Sequence, residues 1–312
     1  MNTHTTAFKS DQMSLELLPT ESWWGGRAAD GVEMPFNHQT VHSAVLHSDL
    51  RENQGAPFYV SSAGRYLWSD HPFRIDFREG RIAITGTTHT VSLVEGCGDL
   101  RSAFRHAAAQ HFPSSGALPP EEFFSVPQYN TWIEMTHLPT QQAVLEYAAG
   151  LLQSGFPPGI LMLDCGWFSF WGDFDFHRGR FPDPAGMMRT LNEQGFRVML
   201  WVSPFVSADT ILFRKWRSSE GWFFRDRQGK PAVLEWWDGY SAHLDITHPP
   251  AADWLFGELT RLQQEYGVVG FKFDAGDTVH YIGRPANWLD ASPVELTEAW
   301  ARFGERFPYN EF

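Results

Sequence analysis

Toward its C-terminus the chain reads Val268-Val269-Gly270-Phe271-Lys272-Phe273-Asp274-Ala275-Gly276-Asp277. Lys272 and Asp274 interrupt an apolar run at alternate positions, so on a strand both side chains take the same face. A parallel strand covered by helices on both sides reads as unbroken apolar residues, which makes a lysine and an acid there informative. About a hundred residues earlier Gly159-Ile-Leu-Met-Leu163 is followed by Asp164-Cys165-Gly166-Trp167. Two buried strands that each end in an acid describe the C-terminal rim of a barrel, where barrel enzymes keep their chemistry. Two bland readings stay open: a structural ion pair for Lys272/Asp274, and a turn cap for Asp164. Asp277 reads equally as an acceptor behind Asp274 or as a turn residue after Gly276.

Composition narrows the partners. The 312 residues carry a formal net charge of -13, which argues against nucleic acid or an anionic membrane surface and suits a neutral substrate. Aromatic residues are abundant, with 14 Trp, 26 Phe and 8 Tyr. Most belong in a core, but the rings of Trp167-Phe-Ser-Phe-Trp171-Gly-Asp173 lie beside acids. Flat rings pack on the C–H faces of sugars while carboxylates take the hydroxyls. Two cysteines, Cys97 and Cys165, make neither a disulfide framework nor a zinc quartet. The start, from Met1 to Phe8, shows no secretory leader, and no apolar run spans a membrane, so a cytoplasmic setting is expected. No metal or cofactor is expected; His38 and His42 have helical spacing, but Pro35 and polar neighbours oppose a helix there.

The elements that must position these residues follow two grammars. Residues 1 to about 97 give short strands: 65–69, 73–77, 81–85 and 90–94. Turn chemistry at 69–72, 78–80 and 86–88 divides them. They predict an antiparallel β-sandwich, followed by a helix capped by Asp99 and a linker at 112–120, for a first domain of 1–120. From 121 to 312 strand and helix alternate. Strands are predicted at 128–134, 159–163, 197–203, 243–247 and 268–274. Helices should follow Thr140, Asp183, Ser207, Pro250 and Ser292, and Ser292-Pro-Val-Glu295 combines a capping box with proline at the first helical position. A hairpin is predicted over 222–237, and 307–312 reads as the start of another strand. Four or five strands in under two hundred residues fall short of the eight of a closed barrel, so this half reads as a partial (β/α)8 TIM-type barrel.

In this order, six segments resemble glycoside hydrolase family 31, the α-glucosidase and α-xylosidase family, over nearly the whole chain. They are Ser22-Trp-Trp-Gly-Gly26, Gly64-Arg-Tyr-Leu-Trp-Ser69, Pro127-Gln-Tyr-Asn-Thr-Trp-Ile-Glu134, Phe174 to Pro184, Val198-Met-Leu-Trp-Val-Ser-Pro-Phe205 and Gly270 to Asp277. The resemblance implies a β-sandwich before a (β/α)8 barrel, and retaining hydrolysis of α-glycosidic bonds with no cofactor. It makes Asp274 the nucleophile at the end of the fourth barrel strand and Lys272 a substrate contact. Asp164 would take hydroxyls of the sugar before the cleaved bond, with Trp201 walling that subsite. Tyr129, Asn130 and Trp132 are further candidates to line the site, as is Trp167, with ordinary packing the alternative.

Two departures stand out. Cys165 sits where many relatives carry a second acid. The family's general acid/base lies beyond the equivalent of Phe312, so the chain is expected to be C-terminally truncated and inactive alone. The alternatives are a melibiase-type α-galactosidase, whose families also pair an acid-Gly-Trp turn with a Lys-x-Asp strand end, and a non-catalytic carbohydrate-binding relic. The expected partner is an oligosaccharide or glycoside; the sequence is silent on oligomeric state.

Overall fold

The computed structural model describes residues 3–8, 12–46, 54–86, 89–281, 283 and 285–312; Met1, Asn2 and the predicted turn at Thr87-Thr88 lie outside them. The chain divides into two compact units, Met1–Ala117 and Leu118–Phe312, at a point inside the predicted linker.

Among the described residues the first unit holds nine strands: β1 (His4–Phe8), β2 (Gln12–Glu16), β3 (Trp23–Arg27), β4 (His42–Val45), β5 (Gly55–Ser61), β6 (Tyr66–Trp68), β7 (Arg74–Arg78), β8 (Arg81–Thr85) and β9 (Val91–Glu95). They form two antiparallel sheets, ordered β1-β9-β6-β5-β3 and β2-β8-β7-β4. In β7 and β8 the apolar residues Ile75, Phe77, Ile82 and Ile84 are buried, while Arg74, Arg78 and Arg81 are exposed. Period-two alternation of this kind builds a sheet with one buried face. Residues of both sheets share one core, centred on Trp23, Tyr59, Phe73 and Phe77. Helix α1 (Leu100–His111) follows, and Asp99 caps it by accepting from the Ser102 amide. His38 and His42 do not share a helix: His42 opens β4 and stacks on Phe36.

The second unit contains α2 (Glu122–Ser125), β10 (Gln128–Asn130), α3 (Trp132–Met135), α4 (Gln141–Gln153), β11 (Ile160–Leu163), α5 (Pro184–Glu193), β12 (Arg197–Val202), β13 (Phe205–Val206), α6 (Ile211–Trp216), β14 (Val233–Trp236), β15 (Gly239–His243), α7 (Pro249–Tyr266), β16 (Gly270–Phe273), α8 (Pro293–Gly304) and β17 (Tyr309–Glu311). Strands β10, β11, β12, β16 and β17 form one parallel sheet in chain order. Such sheets need cover, and Leu161, Leu163, Val198, Leu200, Phe271 and Phe273 share one core with Val144, Met187, Leu191, Leu255, Leu259 and Phe303 of the helices. Gly270 lets β16 approach β17: a Cβ there would stand 1.9 Å from the Tyr309 carbonyl oxygen. The helix starts follow their caps at Thr140 and Asp183, and Ser292 with Glu295 forms the predicted capping box; the helix expected after Ser207 starts instead after Thr210, whose side chain accepts from the Phe213 amide.

Three further predicted elements differ. The first strand of this unit stops at Asn130 rather than 134, because the Asn130 side chain accepts from the Trp132 amide and turns the chain into α3. The hairpin over 222–237 keeps its tight turn, where Asp226 accepts from the Gln228 and Lys230 amides, but its arms make only isolated bridges. Pro231 lacks a ladder donor, and pairing passes instead to β14 and β15. The strand expected at 243–247 therefore ends at His243, inside an antiparallel sheet of three.

Candidate functional site

Alternation decides which side chains meet. Phe271 and Phe273 belong to the helix-side core, so Gly270 and Lys272, and Asp274 one step beyond, take the other face of β16. The same count puts Asp164 on the face of Ile160 and Met162, and Trp201 on that of Met199. Register joins them: Asn130 pairs with Met162, Trp201 with Lys272, and Lys272 with Glu311. The C-terminal ends of five parallel strands thus deliver Asn130, Asp164, Trp201, Lys272, Asp274 and Glu311 to one side.

Asp274 is held at every polar atom described. Its Oδ2 accepts from Trp201 Nε1 at 2.7 Å and its Oδ1 from the Ala275 amide at 2.9 Å. Its backbone N–H donates to the Val202 carbonyl, and its carbonyl accepts from Trp300 Nε1. Asp164 is 3% exposed. Its Oδ2 accepts from Lys272 Nζ at 3.1 Å and from Asn130 Nδ2 at 3.0 Å, and its Oδ1 from the Cys165 amide. Lys272 therefore bonds Asp164 across the sheet rather than its neighbour in sequence. Burial works against the ammonium, yet Asp164 first, then Asp274 and Glu311, hold its pKa above the ordinary lysine value. Glu311 stands 4.0 Å from Lys272 Nζ. Burial pushes its carboxyl upward, Lys272 opposes this, and Asp164 and Asp274 add to it. Asp238, at the tip of the β14–β15 hairpin, is likewise raised by burial and by Asp274, against His137.

The remaining predicted residues fall elsewhere. Trp167 is fully buried: its ring packs on Phe168 and Phe176, and Nε1 donates to the Trp201 carbonyl at 2.9 Å. The positive φ of Gly166 turns the chain inward there, so Trp167 supports Trp201 from behind and offers no face to a ligand. Asp277 is exposed, and its carbonyl closes a short turn to the His280 amide. Trp132 lies half-buried, edge-on to His137, while Tyr129 turns away and donates to the Pro157 carbonyl. Sequence reasoning missed Glu311 and Asp238. For Glu311 the usable signal was the two-residue step from Tyr309 on a starting strand. A cavity of about 750 Å³ near Arg217, Arg225 and Lys230 is lined by none of the strand-end carboxylates.

Carboxylates and a lysine thus converge at the C-terminal ends of a parallel sheet, the place where barrel folds carry their functional loops. The family model for the "Glycosyl hydrolases family 31 TIM-barrel domain" matches residues 117–301, and the chain belongs to that family. It is 36% identical over 205 residues to the "Myogenesis-regulating glycosidase" of Mus musculus, covering 65% of this chain and 28% of the relative. It is 26% identical over 236 residues to an alpha-xylosidase of Emericella nidulans, covering 72% and 29% respectively. Among solved structures, a family 31 alpha-xylosidase from a soil metagenome, complexed with xylose, superposes with a TM-score of 0.72 at 17% identity. It covers 95% of this chain and 43% of that one. A Flavobacterium johnsoniae family 31 dextranase, complexed with glucose, gives 0.71, also at 17%, over 95% and 38%. The chain thus spans under a third of the length of these two curated relatives. No helix among the described residues is long and apolar enough to cross a membrane.

Proposed function

We propose that this chain carries the nucleophile half of a retaining α-glycosidase site, acting on an oligosaccharide or simple α-glycoside. Asp274 is the nucleophile, Asp164 and Lys272 take sugar hydroxyls, and Trp201 and Asn130 position Asp274 and Asp164. In the same reading the five parallel strands are the first part of a (β/α)8 barrel preceded by a β-sandwich, with domains of 1–120 and 121–312. The observation that carries it is the Trp201–Asp274 hydrogen bond. It fixes one carboxylate oxygen, on the same face of the sheet as the buried Asp164–Lys272 pair. A retaining enzyme needs an ionised carboxylate beneath the anomeric carbon and a second carboxyl about 5–5.5 Å away to protonate the leaving oxygen. Attack by Asp274 forms a glycosyl ester, and water then releases the sugar with its original configuration. Similarity to two alpha-xylosidases and to two lysosomal alpha-glucosidases supports an α-glycoside substrate. The melibiase-type alternative gains nothing from these matches.

Fluoride leaves without a proton, so α-xylosyl and α-glucosyl fluorides test the nucleophile apart from any general acid. Release of fluoride with the α-anomer as first product is expected. First formation of the β-anomer, or equal rates with Asp274→Asn, would overturn the reading.

A further inference from the structure

Three side chains from separate segments meet beside Asp164. His137 lies in the loop after α3, Cys165 in the turn after β11, and Asp238 at the tip of the β14–β15 hairpin. Cys165 Sγ is 3.4 Å from His137 Nδ1, and His137 Nε2 is 3.7 Å from Asp238 Oδ1. One ligand atom from each residue lies within 4.8 Å of the other two. We propose that His137, Cys165 and Asp238 form a binding site for a divalent cation of borderline softness, zinc above all.

The donor set argues for the metal. Sulfur, imidazole nitrogen and carboxylate oxygen are the three zinc ligand types, and three protein ligands leave a fourth position for water. Calcium and magnesium take oxygen ligands and would reject the thiol. Tetrahedral zinc has bonds of roughly 2.0–2.3 Å and hence ligand atoms about 3.3–3.8 Å apart. The cluster must contract by about 1.5 Å at most, which the His137 side chain, 49% exposed, is free to allow.

Two further observations point to a cation. Asp238 Oδ2 is buried without a hydrogen-bond partner, an arrangement that costs free energy until something positive meets it. The Cys165 thiol also lies in the field of three carboxylates, Asp238, Asp164 and Asp274, against a single guanidinium, Arg180. The backbone is arranged to keep the ligands close. Gly166 has φ +89°, and a Cβ there would stand 2.4 Å from the His137 carbonyl oxygen. Arg180 Nη1 donates to that same oxygen at 3.0 Å. On binding, the Cys165 S–H bond breaks, the thiolate sulfur bonds the cation, and the proton passes to solvent. The inference is independent of the glycosidase reading, since no sugar enters it.

Titration of the purified chain with Co2+, followed by displacement with Zn2+, tests it. The expected result is a thiolate-to-cobalt charge-transfer band saturating at one equivalent. Cys165→Ser should abolish the band and Cys97→Ser should leave it. His137→Ala, at a half-exposed position, should weaken binding by at least the ~10-fold that loss of an outer partner costs a metal site. Absence of a thiolate band, a band surviving Cys165→Ser, or unchanged affinity in His137→Ala would each overturn the proposal. The second of these would leave only a Cys165–His137 hydrogen bond and a contact between His137 and Asp238. Should Cys165→Ser fail to fold, His137→Ala decides.

Discussion

Each unit of the molecule buries an acid–base pair, and the two pairs are built differently. In the first, Arg65 Nε donates to Glu21 Oε1 at 2.9 Å, Nη1 reaches Glu95 and Nη2 the Glu16 carbonyl, while Glu21 also accepts from the Leu18 amide. Both residues are below a tenth exposed, and the guanidinium lies over the Trp23 ring. In the second, Lys272 makes one close bond, to Asp164, while Asp274 and Glu311 share its charge. The first pair has its donors matched to acceptors and is finished. The second has three carboxylates around one cation, on a strand-end face, with Asp274 aligned by an indole. Excess charge held in place, rather than burial, separates the site from the structural pair.

That contrast breaks most sharply at Asp274. Asp274→Asn should lower the hydrolysis of an activated α-glycosyl fluoride by at least about 10⁴-fold, the scale on which removal of a nucleophile is felt. Its effect on stability should stay small, since the asparagine side chain keeps an oxygen for Trp201. A mutant that unfolds at markedly lower denaturant would make Asp274 another Glu21.

The next test is acidification. His243 is fully enclosed; its Nδ1 donates to the Leu244 carbonyl, its Nε2 accepts from Tyr281, and burial pushes its pKa down to about 3. Between that value and 6.5 the unfolded chain binds a proton that the folded chain refuses. Stability is therefore present above pH 6.5 and lost as pH falls, by up to about 5 kcal/mol. Burial works against the Glu21 carboxylate, but its bonds to Arg65, Ser61 and Leu18 hold its pKa below the usual value of 4.5. Its contribution is intact above that value and fades only below it. On falling pH the second unit should lose hydrogen-exchange protection before the first; the reverse order would contradict these assignments.

Glu21→Ala removes the buried partner of Arg65 and leaves it only the half-exposed Glu95 and the Glu16 carbonyl, which should cost about 3–5 kcal/mol in denaturant unfolding. Asp164→Asn should act differently: Lys272 keeps Asp274 and Glu311 as neighbours, so unfolding shifts by about 1 kcal/mol while sugar binding weakens about tenfold or more. Equal stability costs for the two substitutions would erase the distinction.

The sequence shows some of this directly and hides the rest for physical reasons. Lys272, Asp274 and Asp164 stand out because they interrupt runs that a buried parallel strand otherwise fills with apolar residues. Sequence adjacency misleads at Trp167, where the Gly166 turn sends the ring into the core, and at Lys272, whose bond crosses to another strand. Asp238 is hidden because the Asp226–Lys230 turn imitates the hairpin centre that lies at Trp237-Asp238. Glu311 sits on a strand of three residues, too short to display alternation. His137, Cys165 and Asp238 are separated by dozens of residues with no motif spacing, so only the fold brings them together.

The central claim, that Asp274 is aimed at the anomeric carbon of an α-glycoside, is tested most directly by intact-mass and peptide analysis. The protein is first treated with a fluorinated α-glycosyl fluoride that forms a slowly hydrolysed ester. A single added glycosyl group on the peptide containing Asp274, absent from Asp274→Asn, is the predicted result. An unlabelled protein, or a label on any other carboxylate, would contradict it.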